Sequence, residues 1–305
     1  MEQVFIDDYA YMAALQFHMI QKTCLEEQCD QILVRGNVKL GYRVTENNPL
    51  TSLYDMPVRV IRIVVEGFAI ADSPVQLELS EQLIVELTQE MTNHPAYYTI
   101  RIPAQFPCLL QAITDLPGTT LFCGGTVAYA INPAEGRANM AMWKSPKEDV
   151  RVFLTDSAYL EANCRKLCKI AEDSFANYSG QYHIAPRTAP KAGQIYTNWI
   201  RSIFEHPEAY CMMCVECNGE PAGFSLLSED EYGIDMELTA VSEQFRGQGL
   251  YTELMRENVR YAVSRDRIFV SSTQLDNFGS QRTWAKVGMR PYYTIYNFHC
   301  DCLGE

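Results

Sequence analysis

From Met236 to Met255 the chain reads Met-Glu-Leu-Thr-Ala-Val-Ser-Glu-Gln-Phe-Arg-Gly-Gln-Gly-Leu-Tyr-Thr-Glu-Leu-Met. A short alternating strand runs into Gln244-Phe245-Arg246-Gly247-Gln248-Gly249, and an amphipathic helix follows at once. The first turn of a helix leaves backbone N–H groups without intrahelical acceptors. The aligned peptide dipoles add a partial positive charge there. Strand, glycine turn and helix start together therefore make an anion site from main chain, and phosphate is its natural occupant. Gly247 and Gly249 carry no Cβ, so the backbone can bend and a ligand can come close.

Two common phosphate binders do not match. The dinucleotide fingerprint needs a small residue where Thr252 stands and an acidic residue about 20 positions on. Position 269 is instead Phe, inside Ile268-Phe269-Val270. No Gly-Lys-Ser/Thr follows the glycines, which excludes a Walker loop. The pattern Gln/Arg-x-x-Gly-x-Gly/Ala does match, and by it the chain resembles the GNAT superfamily of acyl-CoA N-acyltransferases. The flanks agree in order. Tyr210 to Cys217, the turn Asn218-Gly219-Glu220 and Ala222 to Leu227 read as a hairpin. Ile234 to Val241 is the next strand. Arg267 to Ser272 is a strand ending in Thr273-Gln274-Leu275-Asp276-Asn277. Ser280 to Val287 reads as a helix, Gly288-Met289 stands where the family has Gly-Phe, and Tyr292 to His299 is a terminal strand. The resemblance covers about the last half of the chain.

The fold class expected is α/β with a mixed (α+β) sheet. A chain of 305 residues is long for one such domain. The expected organisation is an N-terminal α/β domain over 1–132, a linker over 133–146, and a GNAT domain over 147–305. The linker assignment rests on the Pro, Gly and Ala content of Asn132 to Asn139. In the first half, Tyr9 to Cys29 reads as a helix, Met56 to Ile70 as a strand, and Ser80 as a helix cap. Tyr97 to Ile102 and Thr119 to Ile131 read as strands, with a helix over Ala104 to Ile113 between them. This half shows no glycine phosphate loop. A degenerate GNAT-like copy that only packs and shapes the cleft is one reading of it.

Composition narrows the partners. A hydrophobic content of 47% is that of a chain with a substantial core. No apolar run reaches membrane-spanning length, and the N-terminus has no basic, signal-like region. A cytoplasmic protein that binds no membrane is expected. The formal charge of −13 argues against nucleic acid as a partner. Eleven cysteines without an export signal are expected to stay reduced. Cys211, Cys214 and Cys217 lie on a strand, where side chains alternate faces, so they do not close a metal site. No metal is expected, and the oligomeric state, monomer or homodimer, stays open.

The resemblance assigns tasks to residues. Acetyl-CoA is the implied co-substrate and a small-molecule amine the implied acceptor, with transfer by direct attack in a ternary complex. The backbone of Arg246, Gly247, Gln248, Gly249, Leu250 and Tyr251 would hold the diphosphate, with Gln244 shaping the turn. Leu238, Thr239, Ala240 and Val241 match the strand along which the pantetheine arm runs. Asn277 matches a cofactor-contacting Asn, and a helix cap is its bland alternative. Glu237, or Asp235 on the same face, is the candidate base. His183, in the polar loop Tyr178 to Gln194, and Trp199 on the following helix are candidates on the acceptor side. The family's acidic Tyr aligns with Trp284, whose indole N–H donates a hydrogen bond but releases no proton. Trp284 therefore lines the cleft or packs in the core; the thiolate, a tolerable leaving group, takes its proton from water, or Tyr292, Tyr293 or Tyr251 substitutes as the acid.

A narrower likeness joins Phe175 to Trp199, and Thr273-Gln274-Leu275-Asp276-Asn277, to the bacterial dTDP-fucosamine acetyltransferase group. It implies a nucleotide-linked amino sugar as acceptor. The alternative function is a non-catalytic acyl-CoA-binding regulatory or interaction protein, motivated by the missing Tyr.

Overall fold

A computed structural model describes residues 29–36, 38–66, 73–104, 106–144, 148–176, 178, 180–230 and 233–304. The helix expected over Tyr9 to Cys29 lies almost wholly outside them. In chain order the elements are β1 (Gln31–Arg35), β2 (Val38–Glu46), α1 (Asn48–Tyr54), β3 (Val58–Glu66), α2 (Ser73–Asn93), β4 (Tyr97–Pro103), α3 (Pro107–Ala112), β5 (Thr119–Ile131) and α4 (Pro133–Met140). There follow β6 (Val150–Leu154), α5 (Ser157–Phe175), α6 (Gln181–Ile184), α7 (Ala192–Glu205), β7 (Tyr210–Cys217), β8 (Glu220–Glu229) and β9 (Ile234–Val241). The last are α8 (Leu250–Ser264), β10 (Phe269–Gln274), α9 (Phe278–Lys286) and β11 (Arg290–Asp301).

The chain divides into two compact units. The first takes residues 1–126, 180–190 and 292–305, and the second takes 127–179 and 191–291. In the first, β1, β2 and β3 are antiparallel neighbours, β3 and β4 are parallel, and β11 runs antiparallel to β4. Its core gathers Leu40, Ile61, Leu83, Leu87, Tyr98 and Ile100, all fully or almost fully buried. In the second, β6 to β9 form an antiparallel meander, and β10 pairs parallel to β9 through the crossover helix α8. The order β1-β2-β3-α2-β4-α3-β5, apart from the short α1, repeats in β7-β8-β9-α8-β10-α9-β11. Each copy is a three-strand meander leading into a β-α-β crossover.

Three local expectations change. Residues 133–140 are helical, not an irregular linker: the Asn132 side chain accepts from the Glu135 amide at 2.9 Å and Pro133 takes the first turn. Ser80 lies inside α2, where its hydroxyl bonds the Gln76 carbonyl at 2.8 Å. Cys29 is disulfide-bonded, whereas nine other described cysteines are free.

Candidate acyl-CoA site

In the second unit the two sheet faces carry separate cores. Leu226 packs with Leu167, Ile170 and Ile200 from α5 and α7, whereas the next residue, Leu227, packs with Met255 and Val259 from α8. Alternate residues of a strand go to opposite faces, and this pair follows that rule. The cysteines of β7 obey it too. Cys214 joins the α5/α7 core, whereas Cys211 and Cys217 join clusters on the α8 side. Among the described residues, no group of three or more His, Cys, Asp and Glu side chains is arranged to hold a metal ion.

Strand β9 breaks the alternation once. Leu226 pairs with Leu238, but Leu227 pairs with Met236, so Glu237 is an extra residue in β9. This β-bulge sends Met236 to the α8 side and Leu238 to the α5/α7 side. Beyond the bulge β9 also loses its other neighbour. Its pairing with β10 covers Ile234 to Met236 and stops at Ser271, while β8 follows it to Val241. The edge from Glu237 to Val241 thus presents main-chain groups to a gap between parted strands. Those are Leu238, Thr239, Ala240 and Val241, the residues expected to pair with a pantetheine arm, together with Glu237.

The gap leads to the glycine loop. Glu243–Phe245 make one tight turn, and the Arg246 guanidinium folds back so that its Nε donates to the Val241 carbonyl at 3.3 Å. The Gln248 side chain donates to the Gln244 carbonyl at 3.4 Å. Gly247 and Gly249 have φ of +77° and +88°, in the region L residues avoid. A Cβ on either meets no heavy atom within 4 Å, so backbone conformation, not crowding, demands glycine there. Gly249 caps α8 with no side-chain hydrogen bond. The Gly249 carbonyl accepts from Thr252 and Glu253. No carbonyl or side chain among the described residues accepts from the amides of Gly247, Gln248, Gly249, Leu250 or Tyr251. Five donors at a helix start, beyond the strand edge that β10 leaves unpaired, can cradle an anion.

The side chains around the gap have defined partners. Glu237 is half-buried and accepts from the Ser228 hydroxyl at 2.6 Å. Burial pushes the Tyr210 phenol up, and the nearby Glu237 charge adds to it. Thr239 is tied down by the Ser225 hydroxyl at 3.1 Å and donates to the Phe224 carbonyl at 3.0 Å. Asn258 of α8 braces Ser225 at 2.8 Å. Asn277 caps α9 by accepting from the Ser280 amide at 3.3 Å, and its Nδ2 donates to Thr273 at 2.8 Å.

Trp284 is a core residue, 1% exposed, edge-on to Tyr129 with ring centroids 5.4 Å apart. Its Nε1–H is spent on the Tyr251 hydroxyl at 2.9 Å. The Tyr251 hydroxyl also reaches Ser280 at 3.4 Å. Burial pushes the Tyr251 phenol up to about 12, the bonds to Ser280 and Trp284 oppose that, and the Tyr178 charge adds to the rise. Tyr178 packs with the α5/α7 core, so the two tyrosines approach from opposite faces of the sheet. Trp199 sits in that core too, tilted against Tyr196 at 6.2 Å, beside the stacked Phe175–Tyr196 pair at 4.5 Å. Tyr292 and His183 belong to the first compact unit. The bulge at Glu237 and the Trp284–Tyr251 bond were not read from sequence, because each depends on a partner far away in the chain.

A mixed sheet, parted central strands and uncapped amides at a crossover helix define the acyl-CoA N-acyltransferase class of folds. Residues 169–289 match the acetyltransferase (GNAT) family, and this part of the chain is a GNAT domain. No curated protein matches the chain. Among solved structures, a functionally unknown conserved protein from Staphylococcus epidermidis is 14% identical, with 89% of this chain and 94% of that one covered and a TM-score of 0.51. A GCN5-related N-acetyltransferase from Sphaerobacter thermophilus is 13% identical over 88% and 82%, TM-score 0.51. A tandem GNAT protein from the clavulanic acid biosynthesis pathway is 12% identical over 88% and 85%, TM-score 0.51. At these identities the likeness is one of fold. It extends beyond the matched family region, in keeping with the repeated element order. Among the described residues, no helix is long and apolar enough to cross a membrane.

Proposed function

We propose that this protein transfers an acetyl group from acetyl-CoA to the primary amine of a small molecule, by direct attack within a ternary complex. The observation that carries the reading is the row of five unpartnered amides, 247 to 251, opening onto the parted edge of β9. Bound acetyl-CoA would supply the activated acyl group as a thioester. The amides hold its diphosphate, at roughly 1.5–3 kcal/mol for each charge-assisted bond. The Glu237–Val241 edge holds the peptide-like arm, and Asn277 keeps the strand end and α9 in place beside it. Arg246 flanks the phosphates with its charge.

Glu237 takes a proton from the substrate ammonium at Oε2, directly or through one water, which frees the neutral amine to attack, while Ser228 fixes Oε1. Tyr251 offers its hydroxyl as a hydrogen-bond donor to the departing sulfur, and the Trp284 N–H, donating to the same hydroxyl oxygen, orients it. A thiol with a pKa near 8.5 leaves tolerably as its anion, so a donor here eases the step without having to lose its proton. On the acceptor side, the half-buried rings of Tyr178 and Trp199, packed on the buried Phe175–Tyr196 stack, together with the likeness at Phe175 to Trp199 support a nucleotide-linked amino sugar. The first compact unit, which holds His183 and Tyr292, acts as a degenerate GNAT-like domain.

A second reading, acyl-CoA binding without turnover, is favoured by one observation: the indole of Trp284 stands in the core at the position of the family's acid. The test is acetyl-CoA binding by calorimetry, followed by CoA release over a panel of amines that includes nucleotide-linked amino sugars. Binding with turnover supports transfer, and binding without any turnover supports the second reading. No binding removes both.

A further inference from the structure

The chain ends in a pair of thiols that the transfer chemistry does not use. Cys300, on β11, and Cys302, just past its last residue, have their Sγ atoms 3.6 Å apart. Both thiols donate to one acceptor, the Pro117 carbonyl, at 3.0 Å each. The Thr120 hydroxyl reaches Cys300 Sγ at 3.4 Å. Cys300 is fully buried. Cys302 is half-buried and lines a cavity of about 460 Å³ with Pro117, Thr119, Arg187 and Asp301. One sulfur of the pair is thus reachable from solvent and the other waits behind it.

We propose that Cys300 and Cys302 are a reversible dithiol–disulfide site, oxidised by small organic disulfides that enter the cavity at Cys302. The reaction is thiol–disulfide exchange and balances without another oxidant. The Cys302 thiolate attacks one sulfur of the small disulfide, and the other sulfur leaves as a thiol. The Cys300 thiolate then attacks Cys302 Sγ, forms the internal S–S bond and expels the second thiol. Two protein thiols are oxidised and one small disulfide is reduced to two thiols.

The geometry supports both steps. Residues two apart on a strand span about 6.6 Å, inside but near the outer end of the roughly 4.4–6.8 Å that a disulfide bridges. β11 ends at Asp301, so the backbone at Cys302 is released from the strand ladder and can take up the adjustment. Hydrogen bonds from Cys302 and Thr120 hold the Cys300 thiol below its ordinary range, and the same contact pushes Cys302 up. The thiolate therefore rests on buried Cys300, and Cys302 attacks in the minor form in which the proton has crossed the 3.6 Å gap to Cys300. Closure removes both S–H donors from the Pro117 carbonyl.

The test uses the reduced full-length protein and glutathione disulfide as probe, with intact mass and peptide mapping as readouts. The expected product is a C-terminal peptide that has lost two hydrogens between Cys300 and Cys302 and regains them with dithiothreitol. In Cys300→Ser the first step has no successor, so a glutathione adduct accumulates on Cys302. In Cys302→Ser the C-terminal peptide stays unmodified. A stable adduct on wild-type Cys302 without ring closure overturns the proposal. So does a wild-type C-terminal peptide that stays reduced while the urea-unfolded chain reacts.

Discussion

The indole Nε1 of Trp284 donates to the hydroxyl of Tyr251 at 2.9 Å, joining the buried face of α9 to the first turn of α8. This bond assigns different work to two aromatic residues. Trp284 fills the core and orients its neighbour, and Tyr251, under the proposed function, supplies the hydroxyl that donates toward the sulfur. Tyr251→Phe should leave acetyl-CoA affinity within a few-fold and lower kcat by roughly 10²-fold. Steady-state kinetics beside calorimetry separates the two effects, and an unchanged kcat contradicts the assignment.

Trp284→Tyr should act through packing. A smaller ring leaves a void in a fully buried site, so a stability loss on the order of 1–3 kcal/mol is expected. Chemical denaturation measures it. Preserved stability with raised turnover would mean that position 284 itself serves as the acid.

Gly249→Val tests the loop. At φ +88° a β-branched residue is strained by roughly 1–2 kcal/mol, yet its Cβ enters open space. The domain should stay folded by circular dichroism while acetyl-CoA affinity falls by at least about tenfold, as with the loss of one charge-assisted bond. Unaltered affinity would put the ligand elsewhere.

Glu237→Gln keeps the shape of the side chain and its contact with Ser228 but removes the proton acceptor. A fall in kcat of roughly 10²-fold with unchanged acetyl-CoA binding is expected. An acceptor amine of low basicity should soften the loss, since less of it needs deprotonating.

His299 gives a prediction for the first unit. Burial, with the Arg101 charge second, lowers its pKa from 6.5 to about 3. The ring is thus held neutral against the Tyr97 hydroxyl at 2.8 Å. The unfolded chain binds a proton on this ring below about pH 6.5, and the folded one does not. Its contribution is therefore complete above that pH and is lost progressively as pH falls toward the folded value. Thermal melts across this window should show Tm falling, and His299→Gln should flatten the slope.

Local signals in the sequence carried the glycine loop, α8, the hairpin at Asn218 and Gly219, and the bounds of β9. Each is written in adjacent residues: a glycine pair, a turn dipeptide, an alternating pattern. What was illegible depends on partners distant in the chain. The extra residue at Glu237 exists only against β8. The role of Trp284 rests on Tyr251, 33 positions away. Tyr292 belongs with the first compact unit because β11 pairs with β4, which no local pattern announces. Ser80 shows the opposite failure: a serine with capping chemistry was read as a helix start, but its hydroxyl turned back onto the preceding turn. At 133–140 the helix signals were present in Asn132 and Pro133, and the glycine and alanine content outweighed them.

Amide nuclear magnetic resonance reads the five backbone N–H groups of the glycine loop one by one. Titration with acetyl-CoA should shift Gly247, Gln248, Gly249, Leu250 and Tyr251 most strongly, with Glu237 to Val241 moving along the same binding curve. Saturable binding that shifts other amides and leaves those five still would contradict the account.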